Sequence, residues 1–256
     1  MAVSGAQAGA IAGTRAPDRR ERNRRKAMLM AMLPAVTVGI PLALFVLFPL
    51  AHILGRSFST PGGYGLANYA AMLGNERFLR ITWNSFSVTV VSAGLAILLA
   101  YAYAYAVQRS TMPMRGLFRL IAVLPLFAPS LVQAQGLVLL FGRNGLINRS
   151  FDLGIDIYGY WGIVIASVLY VFPYAFLILS AALAVADARL YESAEMLGAT
   201  KWRAFRTVTL PATRYGLAAA IFVCFTLVIT DFGNPMVIGG DYTVLASEVY
   251  NQVIGQ

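Results

Sequence analysis

A polar interruption between two long apolar segments reads Glu192-Ser193-Ala194-Glu195-Met196-Leu197-Gly198-Ala199-Thr200-Lys201-Trp202-Arg203 and closes at Leu210-Pro211. Its pattern predicts two short helices joined at a glycine. Asp187 is placed to cap the first helix, and Gly198 to end it in a left-handed conformation. Thr200 is placed to cap the second helix. We expect Pro211 to stop that helix, because proline lacks an N–H and clashes with the preceding turn.

An apolar stripe runs along each of these predicted helices. The stripes consist of Leu190, Ala194 and Leu197 on the first helix and of Trp202, Phe205 and Thr209 on the second. Residues three and four apart share a helix face, so both helices are amphipathic. A pair of amphipathic helices between membrane spans is expected to dock on another surface.

The composition indicates an all-α integral membrane protein, a polytopic bundle of transmembrane helices. Hydrophobic residues make up 59% of the 256 residues and charged residues only 12%, whereas about a quarter of a soluble domain is charged. The apolar residues form stretches of about 20, the length that spans a bilayer. One cysteine, Cys224, offers no disulfide or metal site, and we interpret it as a packing residue. No catalytic residue or metal ligand is predicted.

Five membrane spans are predicted, at about residues 28–50 (or 52), 83–107, 120–141, 160–184 and 215–230. They lie in one transmembrane domain, residues 27–256, which includes the polar loop at residues 187–211. Residues 1–26 form a basic N-terminal arm. We expect a disordered, positively charged anchor there, with a specific binding arm as the alternative.

The basic residues predict the orientation of these spans. Of the 20 Lys and Arg residues, seven lie in the N-terminal arm, three in the turn after the second span, and five between the fourth and fifth spans. The opposite side holds Arg56, Arg77, Arg80, Arg143 and Arg149. Basic loops stay in the cytoplasm, so the N-terminus and the Glu192 loop are predicted to be cytoplasmic. The orientation of the spans therefore explains the net charge of +9, and no nucleic-acid partner is needed to explain it.

The sequence also limits the source of energy. The apolar cores of the spans contain no Asp, Glu, Lys or Arg, which argues against a proton-coupled carrier. The ATP-binding pattern G-x-x-x-x-G-K-[ST] is absent as well. The chain is therefore predicted not to be an enzyme, and its energy is expected from a partner.

The polar loop resembles the cytoplasmic EAA loop, E-A-A-x-x-x-G-x(9)-I-x-L-P, of the permease subunits of type I ABC importers. Glu192, Gly198 and Leu210-Pro211 keep the spacing, while Ser193 replaces alanine and Val208 replaces isoleucine. The resemblance implies the importer-permease fold and a bacterial cytoplasmic (inner) membrane location. An ordinary amphipathic loop between spans is the alternative interpretation.

The resemblance also implies a set of partners. In this family the loop enters a cleft on a nucleotide-binding subunit that uses ATP and Mg²⁺, and the permease itself holds no cofactor. A second permease subunit or half, an external solute-binding protein and the lipid bilayer complete the set. By position, the matched contact residues are Glu192, Ser193, Ala194, Leu197, Gly198, Ala199, Leu210 and Pro211, with Lys201 and Arg203 as supporting charges.

The final stretch gives a weaker resemblance, to permeases for ferric iron or for phosphonates such as 2-aminoethylphosphonate. It starts Asp231-Phe232-Gly233-Asn234-Pro235, a start common to both groups, and its Val-Ile-Gly-Gln ending favours the phosphonate group. That family also leads us to expect one more span after residue 256, in a longer chain or in a tandem permease of which this is the first half.

Polar residues within the spans and in this final stretch are candidates for a substrate path. They are Asp231, Asn234, Gln133, Gln135 and Asn84. Hydrogen bonds between helices explain the two glutamines and Asn84 equally well, and a capped turn explains Asp231 equally well. The alternative to an importer permease is an ion-coupled secondary carrier or a membrane scaffold without an ATPase partner.

Overall fold

The computed structural model describes residues 19–110, 112–152, 154–185 and 188–254, most of them in helices. They divide into a unit that ends at Gly74 and a unit that starts at Asn75. The first unit contains α1 (Arg19–Phe58), an antiparallel pair of two-residue strands, β1 (Ser59–Thr60) and β2 (Gly63–Tyr64), and α2 (Ala67–Leu73).

The second unit is helical. Its elements are α3 (Glu76–Arg109), α4 (Arg115–Val123), a 3₁₀ turn (Leu124–Phe127), α5 (Ser130–Phe141), α6 (Leu146–Phe151), α7 (Tyr160–Val185), α8 (Ala188–Met196), α9 (Lys201–Ala204), a π-helical turn (Phe205–Thr209), α10 (Leu210–Ala212), α11 (Arg214–Ile229), α12 (Gly233–Ile238) and α13 (Leu245–Ile254).

The first predicted span lies inside α1, which is longer at both ends. Because α1 begins at Arg19, residues 19–26 are helical, and the expectation of a disordered arm is wrong there. Arg, Lys, Glu, Met and Ala favour helix, and no Gly or Pro lies between Arg19 and Leu33, so the helix of the span continues into the arm. Residues 1–18 lie outside the described residues.

Three helices, α3, α7 and α11, form the core of the second unit. Ala96, Ala100 and Ala104 of α3 are fully buried in it. Gly216 of α11 lies so close to α7 that a Cβ atom there would stand 2.4 Å from the Cβ of Ala182. Small residues let membrane helices approach closely, so these positions set the spacing of the core. Cys224 is buried among them, which confirms its interpretation as a packing residue.

The third predicted span is broken, so the expectation of one continuous helix over residues 120–141 is wrong. The helical segments on either side of Pro129 meet at 103°. Pro125 and Pro129 have no backbone N–H, so carbonyl groups at the break lose their α-helical partners. Gln133 compensates, because its Nε2 donates to the carbonyls of Pro125 at 2.7 Å and Ala128 at 2.8 Å.

The other predicted spans agree with the helices. The second lies within α3, and α7 matches the fourth to within one residue, passing through Pro173 without a break. The fifth corresponds to α11, which meets the segment Lys201–Ala212 at 66°. In the described part of the chain, three helices could cross a membrane alone, and five spans result if each bent pair counts as one.

Candidate functional site

The predicted loop folds as two helices joined at Gly198. Gly198 has φ +72°, the left-handed conformation that the sequence predicts. Its N–H donates to Glu195 O at 2.9 Å, and the Ala199 N–H donates to Ala194 O at 2.9 Å. These two bonds satisfy the last carbonyls of α8 and form a Schellman motif. Asp187, the predicted cap at the other end of α8, lies outside the described residues.

The second helix starts as predicted and ends later. The Thr200 Oγ1 accepts a hydrogen bond of 3.3 Å from the Arg203 N–H, which confirms the cap. The expectation that Pro211 stops this helix is wrong, since helical structure continues to Ala212. The turn Phe205–Thr209 is widened to a π-helix. A widened turn moves the preceding carbonyls away from the proline ring, so the chain bends after Ala212 instead of stopping before it.

The tip of the loop, residues 196–202, presents large apolar side chains to its surroundings. Met196 is 90% exposed, Leu197 86% and Trp202 68%. The other predicted contact residues are also accessible: Glu192, Ser193, Gly198, Lys201, Arg203, Leu210 and Pro211 are exposed, and Ala194 and Ala199 are half-buried. Leu197 and Trp202 belong to the predicted apolar stripes, of which Thr209 is the member buried within this chain and Leu190 is 52% exposed.

The base of the loop is tied together by Tyr191, which sequence reasoning did not single out. The Tyr191 hydroxyl donates to Thr209 Oγ1 at 3.0 Å and so joins α8 to the second helix. The guanidinium of Arg109, the last residue of α3, lies 4.0 Å from the centre of the Tyr191 ring. Arg109 also donates to Leu183 O at the inner end of α7, at 3.2 Å. The loop is therefore fixed at its base, while its tip is exposed.

A cavity of about 710 Å³ lies between the end of α3 and the loop. Arg109 and Lys201 give it positive charge, and Glu195 gives it negative charge. Phe205 and Tyr105 form part of its wall, with ring centroids 5.5 Å apart. The aromatic residues at the inner end of α3 thus meet the second helix of the loop.

A second polar cluster forms where α11 ends and α12 begins. The Asp231 carboxylate accepts hydrogen bonds from the Ser130 hydroxyl at 2.6 Å, the Gly233 N–H at 3.1 Å and the Asn234 N–H at 3.3 Å. It therefore caps α12 and joins it to the start of α5 beyond the break. Asn234 is fully buried, and neither atom of its amide has a hydrogen-bond partner among the described residues.

The remaining predicted path residues do not converge on this cluster. Gln135 is exposed, and Gln133 bonds the carbonyls at the broken span. The Asn84 amide donates to Thr243 O at 3.0 Å. Asn84 also lines a separate cavity of about 300 Å³, whose other lining residues are Arg77, Arg80, Ile81, Asp241 and Thr243. The structure thus brings Asp231 and Asn234 together with Ser130, which the sequence did not indicate.

A larger cavity, of about 680 Å³, lies between the start of α7 and the residues that follow α12. It is lined by Arg143, Asp156, Tyr158, Gly159, Tyr160, Gly240, Asp241 and Tyr242. Burial raises the pKa of the Tyr242 phenol, and a hydrogen bond with Ser87 opposes this shift. This phenol therefore stays neutral near pH 7. Charged groups of both signs and the phenol of Tyr242 make this wall suited to polar solutes.

The fold is that of the membrane subunits of ABC importers. The structure matches a chain from the crystal structure of a bacterial ABC transporter involved in the import of the acidic polysaccharide alginate, with a TM-score of 0.71 and 21% sequence identity. The match covers 92% of this chain and 87% of that one. A second structure, of a bacterial alginate ABC transporter in complex with an alginate pentasaccharide-bound periplasmic protein, gives the same TM-score at 19% identity.

Residues 108–252 match the family model for the binding-protein-dependent transport system inner membrane component. This stretch is more than half of the chain and includes the whole polar loop. The chain belongs to this family of multi-pass membrane proteins, which confirms the resemblance and the fold class that the sequence predicts.

The relatives of this chain are named for several different substrates. The ferric transport system permease protein FbpB of Actinobacillus pleuropneumoniae is 25% identical over 217 residues, which are 82% of this chain and 32% of that protein. The thiamine transport system permease protein ThiP of Brucella abortus is 32% identical over 82% of this chain and 39% of its own length. The molybdenum transport system permease protein ModB of Escherichia coli is 29% identical over 67% of this chain and 80% of its own length. The chain spans about a third of the length of the FbpB relatives it matches.

Proposed function

We propose that this chain is the membrane-spanning permease part of an ATP-driven importer. The observation that carries the proposal is the loop tip, where Met196, Leu197 and Trp202 are mostly exposed beside a left-handed glycine. Exposed apolar clusters rimmed by charge are typical of protein docking sites. The base of the loop is anchored to α3 and α7, so a partner bound at the tip would act on the spans.

The partner we propose for the tip is a nucleotide-binding subunit that holds ATP and Mg²⁺. Leu197 would enter an apolar cleft of that subunit, while Glu192, Lys201 and Arg203 would pair with charges on its rim. Fifteen basic residues favour a cytoplasmic location of the loop. A second permease subunit or half and an external solute-binding protein would complete the transporter.

The docking proposal is tested by co-purification with a nucleotide-binding subunit co-expressed from the source genome. Leu197→Asp should abolish co-purification, because it places a charge in the proposed cleft. Leu146→Asp is the matched control: Leu146 is 65% exposed but lies in the loop between the third and fourth spans, on the opposite predicted face. Equal recovery of ATPase with both variants would contradict the proposal.

An ion-coupled carrier is the competing function, and energy dependence separates the two. An importer permease should support ATP-dependent uptake that continues when an ionophore collapses the ion gradients. Uptake that needs no ATPase subunit and is stopped by the ionophore would assign the chain to the carrier class. Assembly without any transport would favour a scaffold.

For the solute we propose ferric iron or a phosphonate. Two FbpB relatives at 25% identity support iron, and the Val-Ile-Gly-Gln ending supports a phosphonate. The polar lining of the path would include Asp231 and the Asn234 amide, which has no hydrogen-bond partner among the described residues. Uptake of radioactive ferric iron that resists excess 2-aminoethylphosphonate would favour iron, and uptake of labelled 2-aminoethylphosphonate that resists excess iron would favour the phosphonate.

A further inference from the structure

The inner end of α3 binds the second helix of the loop and the start of α11. The hydroxyl groups of Tyr101 and Thr213 share a hydrogen bond of 2.8 Å, and Thr213 is fully buried. Phe205 meets the ring of Tyr101 edge to face, with centroids 5.9 Å apart. Together with the Arg109–Tyr191 contact, these interactions join α3 to the chain on both sides of the loop tip.

The outer end of the same helix binds the segment that follows α12, residues 241–248. The Ser85 hydroxyl accepts a hydrogen bond of 2.6 Å from the Leu245 N–H. Arg77 forms an ion pair of 3.1 Å with Glu248, whose side chain is 16% exposed. With the Asn84–Thr243 hydrogen bond, three side chains near the start of α3 hold this segment. The segment continues directly from the helix that Asp231 caps.

In the part of the chain that the structure describes, α3 joins these two regions as one unbroken helix. It runs for 34 residues without a proline, about 50 Å at the rise of an α-helix. The third span is broken at 103° and the fifth is bent at 66°. A continuous helix moves as a rigid body, whereas a break absorbs displacement.

We propose that α3 transmits movement of the coupling loop to residues 241–248, and that Tyr101 and Ser85 are the positioning residues at its two ends. This inference rests on the proposed function, because the movement starts when a nucleotide-binding subunit acts on the loop. Tyr101 holds α3 to the bend at Thr213, and Ser85 holds the outer segment to α3. Loss of either hydrogen bond lets one end slip while the helix itself stays folded.

The experiment follows the outer segment directly and needs no solute. Val249 is 55% exposed on α13, so Val249→Cys in a Cys224→Ala background gives one accessible thiol. Its reaction rate with a membrane-impermeant maleimide is measured in the assembled transporter, without nucleotide and after trapping with ATP and vanadate. We expect trapping to change the rate, and Tyr101→Phe to reduce that change about three- to thirty-fold.

Tyr103→Phe is the matched control. It makes the same chemical change on the same helix, but the Tyr103 hydroxyl donates to Phe118 O of α4 at 2.9 Å, away from the loop. The control should keep the full response to trapping. If Tyr101→Phe does not assemble, Thr213→Val removes the same hydrogen bond from the other side.

A double variant distinguishes transmission from local damage. Tyr101 and Ser85 are sixteen residues apart, about 24 Å along the helix, and substitutions so far apart normally act additively. If both serve one path, Ser85→Ala should reduce the response alone but add little to Tyr101→Phe. Additive effects, a wild-type rate that trapping leaves unchanged, or a full response in Tyr101→Phe would each overturn the inference. Failure of the wild-type chain to bind any nucleotide-binding subunit would instead overturn the proposed function.

Discussion

The Ser130 hydroxyl donates a hydrogen bond of 2.6 Å to the Asp231 carboxylate, although 101 residues separate them in the chain. The bond joins two places where the helical structure is interrupted, the start of α5 after Pro129 and the start of α12 after α11. The same carboxylate accepts from two backbone N–H groups of α12. The Asp231 side chain thus holds the start of α5 and the start of α12 together.

Asp231→Ala should therefore destabilise the protein more than Ser130→Ala does. It removes the acceptor of three hydrogen bonds, and a bond to a charged group contributes about 1.5–3 kcal/mol. We expect Ser130→Ala, which removes one of these bonds, to lower the apparent Tm in detergent by about 3–12 °C, and Asp231→Ala to lower it further. Ser150→Ala, at an exposed serine of α6, is the control. An Asp231→Ala protein as stable as the control would show that the carboxylate does not hold the interruptions together.

Two glycine substitutions should affect the stability of the protein differently. Gly216→Ala places a Cβ atom 2.4 Å from that of Ala182, and such overpacking costs about 1–3 kcal/mol. Gly94→Ala on α3 meets no atom within 4 Å, so it should leave stability unchanged or raise it by up to about 1 kcal/mol through helix propensity. Thermal unfolding of both variants in one detergent checks this, and equal loss of stability in both would refute the packing of α7 on α11.

The local features of the loop were predictable from sequence because each depends on neighbouring residues. The left-handed Gly198 and the Thr200 cap follow from backbone chemistry within one turn of helix. The prediction that Pro211 ends the second helix is wrong because it also rests on local geometry. The rule for proline assumes an ideal α-helix and does not allow for a π-helical turn at Phe205–Thr209. The break at Pro129 lies in a continuous apolar run, where hydrophobicity alone predicts an unbroken span.

The long-range pairs were not predictable. Tyr191 is one of 13 tyrosines, and nothing in its neighbourhood indicates that Arg109, 82 positions earlier, lies over its ring. Ser130 likewise carries no sign of its contact with Asp231. Tyr101, Tyr103 and Tyr105 alternate with alanine in the sequence, but the contact of Tyr101 and Tyr105 with Phe205 is identified only by the packing of α3 against the loop.

Gly198→Val should uncouple the loop without preventing membrane insertion. The φ of +72° at Gly198 is costly for residues with a Cβ atom, about 1–2 kcal/mol and more for a β-branched one. A Cβ atom added at Gly198 would meet no other atom within 4 Å, so the effect arises from the backbone. We expect reduced uptake and reduced coupling to ATP hydrolysis. Gly198→Asn, which tolerates this conformation, should keep most of both, and normal uptake with valine would contradict the role of the turn.

Glu192→Arg should weaken association with the nucleotide-binding subunit. Reversing a charge at a docked, partly desolvated position costs a few kcal/mol, and the loss should vary with salt because charge pairs are screened. Pull-down at several salt concentrations measures it. Glu76→Arg, a reversal at the exposed start of α3 on the opposite predicted face, is the control. Equal yields for the two variants would remove Glu192 from the interface.

Sidedness of the loop tests the central claim most directly, since a loop outside the cell could never reach an ATP-hydrolysing partner. Ser193→Cys and Ser150→Cys, each in a Cys224→Ala background, place one thiol at an exposed serine on each predicted face. With the chain expressed without partner subunits, a membrane-impermeant maleimide should label Ser193→Cys only in inside-out vesicles and Ser150→Cys only in intact spheroplasts. Labelling of Ser193→Cys in sealed spheroplasts would contradict the importer assignment.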